Sequence, residues 1–228
     1  MLTDSELVSL EHKYFDILSE ILERSLGQII SQIYSQKSII GAANTRVTNK
    51  IEAAVENVIE AIIANQLHWN ICSMSVSSDS CFECGDSIVH IDAKTVASTD
   101  GDNKSNKINV EASQTTYAKG SLLVISNKHW EPKLNLYENH VMFGQIPNLT
   151  YIIKVVYSEE NSVEKIKLVS LPHGQLQNIF GGAKILNAGR AKTPKNETKR
   201  RNIRFNEKEI LNIQPWRVRT IYERKQKL

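Results

Sequence analysis

Asp79, Asp92 and Lys94 are the residues of this 228-residue sequence whose types and spacing could do chemistry. Asp92 and Lys94 stand two apart in the apolar, β-prone run IVHIDAKTVA, residues 88–97, with Ala93 between them. Alternate residues of a strand share a face, so a carboxylate and an ammonium point the same way beside a hydrophobic core. Upstream, Cys84 and Ser87 flank Gly85-Asp86, and Gly at the first central position suits a two-residue type II′ turn. A hairpin about that turn pairs positions whose numbers sum to 171, which sets Asp79 opposite Asp92. Directly opposed residues hold their Cβ atoms ~4.5–5.5 Å apart on one face. A turn shifted by one residue would send Asp79 to the other face and leave Asp86 as a weaker candidate.

Two carboxylates that face each other repel unless a cation sits between them. Oxygen-only ligation favours Mg²⁺, with Mn²⁺ as a substitute, because these ions keep waters and accept phosphate oxygens. Asp79, Asp92 and the Ala93 carbonyl are the candidate ligands. A cation held there would lower the pKa of a bound water, and Lys94 would position that water or offset charge on a phosphorane. That is the chemistry of phosphodiester hydrolysis. The plainer alternative is a surface ion pair on an exposed edge. Ile88, Val89, Ile91 and Val96 argue against it, since they place at least one face in a core, where idle charges are costly.

The elements that must position these groups read as helices first and strands after. Residues 3–35 predict one long helix, with a Thr3/Glu6 capping box and apolar residues at helical spacing. A second helix over about 45–66 carries Glu52, Glu56 and Glu60 four apart, a carboxylate row on one face. Strands are expected at 69–76, 79–84, 88–97, 121–126, 149–157, 163–170 and 215–222, with a polar loop at 98–107 and a short helix at 174–180. Residues 187–202 read as polar, basic and weakly structured. The expected fold class is α/β, a mixed β-sheet flanked by helices with an N-terminal helical segment. One domain over 1–228 is expected: 1–66 helical, 67–186 the catalytic sheet core, 187–228 a basic DNA-contacting region.

Asp79, twelve residues, then Asp92-Ala93-Lys94 resembles the PD-(D/E)XK nuclease motif, and the helix-before-hairpin order resembles type II restriction endonucleases. Ser78 stands where the motif carries proline. The resemblance spans about 45–117. It implies a restriction-endonuclease-like sheet and Mg²⁺-dependent cleavage of double-stranded DNA at a short site, leaving a 5′-phosphate. It implies Asp79 as the first acid, Asp92 as the second and Lys94 as the lysine. A further glutamate from the preceding helix falls on Glu52, with Glu56 in reserve. The segment NVEASQTTY, 109–117, resembles one that follows the motif in such enzymes, which would bring Gln114, Thr115 and Thr116 to DNA. A palindromic site would require a two-fold homodimer, for which the first helix is a possible element. A repair or junction-resolving nuclease of the same fold is the nearest alternative. A cytoplasmic location in a bacterial or archaeal cell is expected, the cysteine usage reading as intracellular and reduced.

Charge is unevenly spread. From Gly189 to Leu228 there are 13 Lys/Arg against 4 Asp/Glu, while the first 188 residues carry 15 against 21. An acidic body with a basic C-terminal region fits a polyanion partner or a solvated tail. Lys195, Lys199, Arg200, Arg201 and Arg204 are candidate phosphate contacts. Arg190, Lys192, Asn196 and Asn202 join them as candidate base or phosphate contacts.

Cys81 and Cys84 have the spacing of a zinc knuckle, with His68 and Cys72 upstream. A zinc-bearing DNA-binding module is therefore the non-enzymatic alternative. Against it, Cys81 and Cys84 point to opposite faces of a regular strand, so small buried hydrophobes is the favoured reading. Three cysteines close no disulfide framework, and no apolar run approaches the ~20 residues of a membrane span.

Overall fold

The computed structural model of the chain describes residues 2–40, 47–67, 69–72, 78–110, 115–116, 123–125, 128–132, 146–158, 162–180, 185–188, 200–201 and 203–224. Three helices come first: α1 (Asp4–Arg24), α2 (Leu26–Ile40) and α3 (Val47–Gln66). Then follow β1 (Asn70–Ile71), β2 (Ser80–Glu83), β3 (Ile88–Ala97), α4 (Gly101–Lys104), β4 (Lys107–Val110), β5 (Leu123–Ile125) and β6 (Lys128–Pro132). The chain continues through β7 (Asn148–Tyr157), β8 (Val163–Leu171), α5 (Gln177–Phe180), β9 (Leu186–Ala188), β10 (Arg200–Arg201), β11 (Ile203–Asn206), α6 (Glu207–Ile213) and β12 (Val218–Glu223).

The main sheet has six strands in the order β1-β2-β3-β7-β8-β12. β3 and β7 run parallel, and the other neighbours in this sheet are antiparallel. β7 is buried at all ten positions, as a strand covered on both faces should be. A second sheet, β4-β11-β9, and a third, β10-β6-β5, have three strands each.

The hairpin that carries the chemistry forms in the expected register. Ser80 pairs with Ile91, Cys81 with His90, Phe82 with Val89 and Glu83 with Ile88. Gly85 takes φ +81, the left-handed region that the turn demands and glycine tolerates. The Cys84 N–H closes the hairpin on the Ser87 carbonyl at 3.0 Å.

One face of the main sheet is apolar and lies under the helices. Val89, Ile91, Ala93, Tyr151, Ile153, Val155, Ile166 and Leu168 join Tyr14, Phe15, Leu18, Val55, Ile59 and Ile62 in one core. The Tyr151 hydroxyl donates to the Glu11 carbonyl at 2.8 Å and pins α1 to β7. The capping box at Thr3 forms, with the Glu6 N–H on Thr3 Oγ1 at 3.3 Å and the Thr3 N–H on Glu6 Oε2 at 2.8 Å.

The expected single N-terminal helix is two helices, broken at Ser25, whose hydroxyl accepts from Gln66 Nε2 at 2.6 Å. The apolar residues keep helical phase across the break, with Leu22, Ile29 and Ile33 all buried, so the stripe does not mark it. Leu7, Leu18, Ile21, Ile29 and Ile33 of that stripe pack in the chain's own core. The expected polar loop at 98–107 holds α4 and the start of β4. The described part of the basic region is woven in: β11 sits between β4 and β9, and β12 closes the main sheet on β8.

Candidate active site

On the face of β3 away from the helical core stand His90, Asp92 and Lys94. Asp92 is 1% exposed, and Lys94 Nζ pairs with its Oδ2 at 2.7 Å. Asp79 lies one residue before β2, at the position opposite Asp92. Its Oδ2 accepts the Ala93 N–H at 2.6 Å. The N–H and C=O of one strand residue point to the same edge, so the Ala93 carbonyl faces the Asp79 side as well. Burial pushes the Asp79 carboxyl above its ordinary pKa, and the Ala93 N–H and the Lys94 charge only partly oppose that. The structure thus gathers Asp79, Ala93, Asp92 and Lys94 on one edge of β3, beyond the end of β2.

His90 precedes this group on the same face and is held neutral. Burial lowers its pKa to about 4. Its ring nitrogens lie 3.1 Å from Ser78 Oγ and 3.0 Å from Asn148 Oδ1. Cys81 packs on its far side, with Sγ 4.0 Å from Nε2.

A cavity of about 390 Å³ opens beside Lys94. Its walls come from Lys94 and Val96 of β3, Asp100 and Asp102 at α4, Lys107 and Asn109 of β4, and Lys154 of β7. Lys154 is the parallel-ladder partner of Lys94.

Three comparisons bear on this arrangement. The family profile described as type II restriction enzyme MwoI, N-terminal domain, matches residues 5–161. The chain belongs to the MwoI family of type II restriction enzymes. Among solved structures it is similar to the restriction endonuclease BglI bound to its DNA recognition sequence. There the TM-score is 0.70 and the identity 14%, over 92% of this chain and 89% of that one. It is similar also to the tetrameric restriction endonuclease SfiI bound to cognate DNA, with TM-score 0.71 and 16% identity over 96% of this chain and 85% of that one. Both share the restriction-endonuclease fold with it. A comparison with curated proteins finds no match.

The matched MwoI-family segment contains Asp79, Asp92 and Lys94. Glu52 is on α3, but its side chain lies outside the described residues; Glu56, one turn on, is half-buried. Gln114, Arg190, Lys192, Lys195, Asn196, Lys199 and Asn202 lie outside the described residues. Arg200 and Arg201 form β10, parallel to β6, with side chains outside the description.

Three of the expected DNA contacts have described side chains. Thr115 and Thr116, expected at DNA, are 1% and 6% exposed. Thr116 Oγ1 accepts the Gly174 N–H at 2.8 Å, which docks its segment onto the turn after β8. Arg204 is half-buried on β11, where Nε donates to Asp102 Oδ2 at 2.6 Å. That ties its guanidinium to Asp102, a residue of the cavity wall.

Among the described residues the zinc arrangement does not assemble. Cys81 is buried beside His90, while Cys84 is on the opposite face near Tyr14, and His68 lies outside the described residues. Among the described residues no three His, Cys, Asp or Glu side chains group to hold a metal. A hard cation that keeps most of its waters needs only one or two carboxylates. Asp79, Asp92 and the Ala93 carbonyl fit that donor set.

Sequence reasoning missed Lys154, Glu207, Lys107 and Asn109. The one available signal was a lysine inside the apolar run LTYIIKVVY, the same anomaly that marks Lys94.

Proposed function

We propose that the chain is a Mg²⁺-dependent endodeoxyribonuclease that hydrolyses both strands of double-stranded DNA at a short recognition sequence. The observation that carries the reading is the convergence of Asp79, Asp92 and Lys94 on one strand edge, in a chain of a type II restriction family. Mg²⁺, with Mn²⁺ able to replace it, would be held by Asp79, Asp92 and the Ala93 carbonyl. When bound it would supply an activated water and charge stabilisation at the phosphate.

The chain's own residues do the rest. Asp92, buried and paired with Lys94, fixes the ammonium at the reacting phosphate. Lys94 orients the attacking water and balances charge gathered on the phosphoryl oxygens. Asp79, anchored on the Ala93 N–H, is held in one orientation rather than free to rotate. Glu52 is assigned as a further carboxylate from α3. Phosphate contacts are assigned to the basic stretch Arg190, Lys192, Lys195, Lys199, Arg200, Arg201 and Arg204, with Asn196 as a base contact. A homodimer would bring two such sites to the two strands. BglI and SfiI, of the same fold, are described with DNA. A cytoplasmic enzyme working beside a protecting methyltransferase is the setting this reading implies.

The test is incubation with unmethylated phage DNA, with and without Mg²⁺. Discrete Mg²⁺-dependent bands are expected, and Lys94→Ala should abolish them while retaining duplex binding. Bands that persist in Lys94→Ala would sink the assignment. A smear would remove the sequence specificity and keep the chemistry.

A further inference from the structure

Lys154 stands mid-way along β7 and is 2% exposed. Lysine is almost never buried to this depth unless paired. Its register partner across the parallel ladder is Lys94, so both side chains leave the sheet on one face. Lys154 Nζ pairs with Glu207 Oε1 and donates to the Lys107 carbonyl at 3.4 Å. Glu207 opens α6 directly after β11, and Lys107 opens β4. One ammonium on the ladder that carries Lys94 therefore holds β4 and the helix that begins where β11 ends. Glu207 is gripped again from β8, where Lys167 Nζ meets its Oε2 at 2.7 Å.

A buried ion pair is weak support for stability, because well-packed apolar side chains of similar volume often do as well or better. Burial disfavours charge on Lys154, and Glu207 opposes that. Burial disfavours charge on Glu207 too, but the two ammoniums together outweigh it and hold its carboxyl below the ordinary range. The triad is costly to bury, and it sits where the second sheet meets the site. That sheet brings Lys107 and Asn109 to the cavity wall and sets Arg204 directly opposite Asn109. On the nuclease reading Arg204 of that sheet is an assigned phosphate contact, so the sheet's place relative to Lys94 would bear on where DNA lies.

We propose that Lys154 is a positioning residue: by holding Glu207 and the Lys107 carbonyl, it sets the second sheet, and the DNA that sheet touches, in register with Lys94. The proposal rests on the nuclease reading above. Lys154 acts through the sheet and makes no contact with the scissile phosphate.

The experiment compares Lys154→Met with Lys167→Met in the full chain, after wild-type cleavage has been measured. Lys154→Met leaves Glu207 paired with Lys167, so no buried charge is orphaned. It should keep its melting temperature within about 5 °C and its metal-free affinity for cognate duplex within about threefold. Its kcat should fall about tenfold or more, as small misplacements of a reacting group do. Lys167→Met, which keeps the Lys154–Glu207 pair, should hold kcat within about twofold.

A folded Lys154→Met with wild-type kcat overturns the proposal. So does a duplex affinity weakened about tenfold with a salt slope shallower by about one, which would make Lys154 a phosphate contact. If Lys154→Met does not fold, Glu207→Gln takes its place, and a kcat equal to that of Lys167→Met overturns the proposal. Wild-type chain that leaves unmethylated DNA intact with Mg²⁺ overturns the nuclease reading itself, and this proposal with it.

Discussion

On the helical face of the main sheet, Arg217 and Glu11 lie 0% and 1% exposed and pair through Nη2 and Oε2. On the opposite face Lys154 and Glu207 are each 3% exposed and pair through Nζ and Oε1. The depth is the same, but the surroundings differ. Arg217 also donates to Ser170 Oγ at 3.1 Å and lies over the Trp216 ring, 4.4 Å from its centroid. The second Glu11 oxygen takes the His173 N–H at 2.7 Å. That network is closed, and it ties α1, β8 and the turn before β12 together. The Lys154 network borders a cavity that begins at Lys94. The Arg217 network is satisfied wholly within the fold, whereas the Lys154 network borders open space.

Mutations separate the two faces, one through activity and the other through stability. The largest effect is expected at Asp92→Ala, which should cost at least about 10³-fold in cleavage rate, roughly 4 kcal/mol of barrier. Its urea midpoint should stay near wild type, because Lys94 keeps access to solvent. A midpoint collapse together with the loss of cleavage would make Asp92 a structural residue. Next is Glu11→Gln, which strands a buried guanidinium and should cost about 3–5 kcal/mol of stability. The folded fraction should still cleave at the wild-type rate, and a large kcat loss measured below the unfolding midpoint would break the contrast.

A smaller, pH-dependent effect comes from His90 on the site face and His173 at the turn after β8. Burial holds each at a pKa of about 4. The unfolded chain binds these protons first, near pH 6.5, so stability falls as pH drops from there toward 4. The loss is of order 3 kcal/mol per histidine at the acid end. In His90→Gln, the slope of unfolding free energy against pH between 6 and 4.5 should fall by about one proton. An unchanged slope would mean that His90 charges in the folded chain. The smallest effect is at the turn. Gly85→Ala meets no atom within 4 Å, so its cost is conformational, about 1–2 kcal/mol at φ +81. An equilibrium urea curve should show the midpoint shifted and the slope kept.

Local chemistry was legible where short-range rules govern. The Gly85 turn, the register that opposes Asp79 to Asp92 and the span of β3 follow from turn type and alternation, which act within a dozen residues. Helix break and sheet partners are another matter. Ser25 interrupts a stripe that stays in phase, so periodicity does not mark the break, and its hydroxyl meets Gln66 of α3. β4 and β11 are four residues each, too short for periodicity to mark, and they exist through pairing with each other across about ninety residues of chain. The burial of Thr115 and Thr116 follows from the turn after β8, which no local pattern foretells.

By itself the sequence determined the hairpin, its two carboxylates and lysine on one face, and the order of helices before strands. Each rests on covalent spacing and backbone sterics, which travel with the chain. Only the tertiary structure decided that Lys154 stands beside Lys94, that Glu207 at the start of α6 meets it, and that Arg204 is tied to Asp102. Those contacts join strands distant in sequence, and they form because a charge buried by the packing of two sheets must find its partner there.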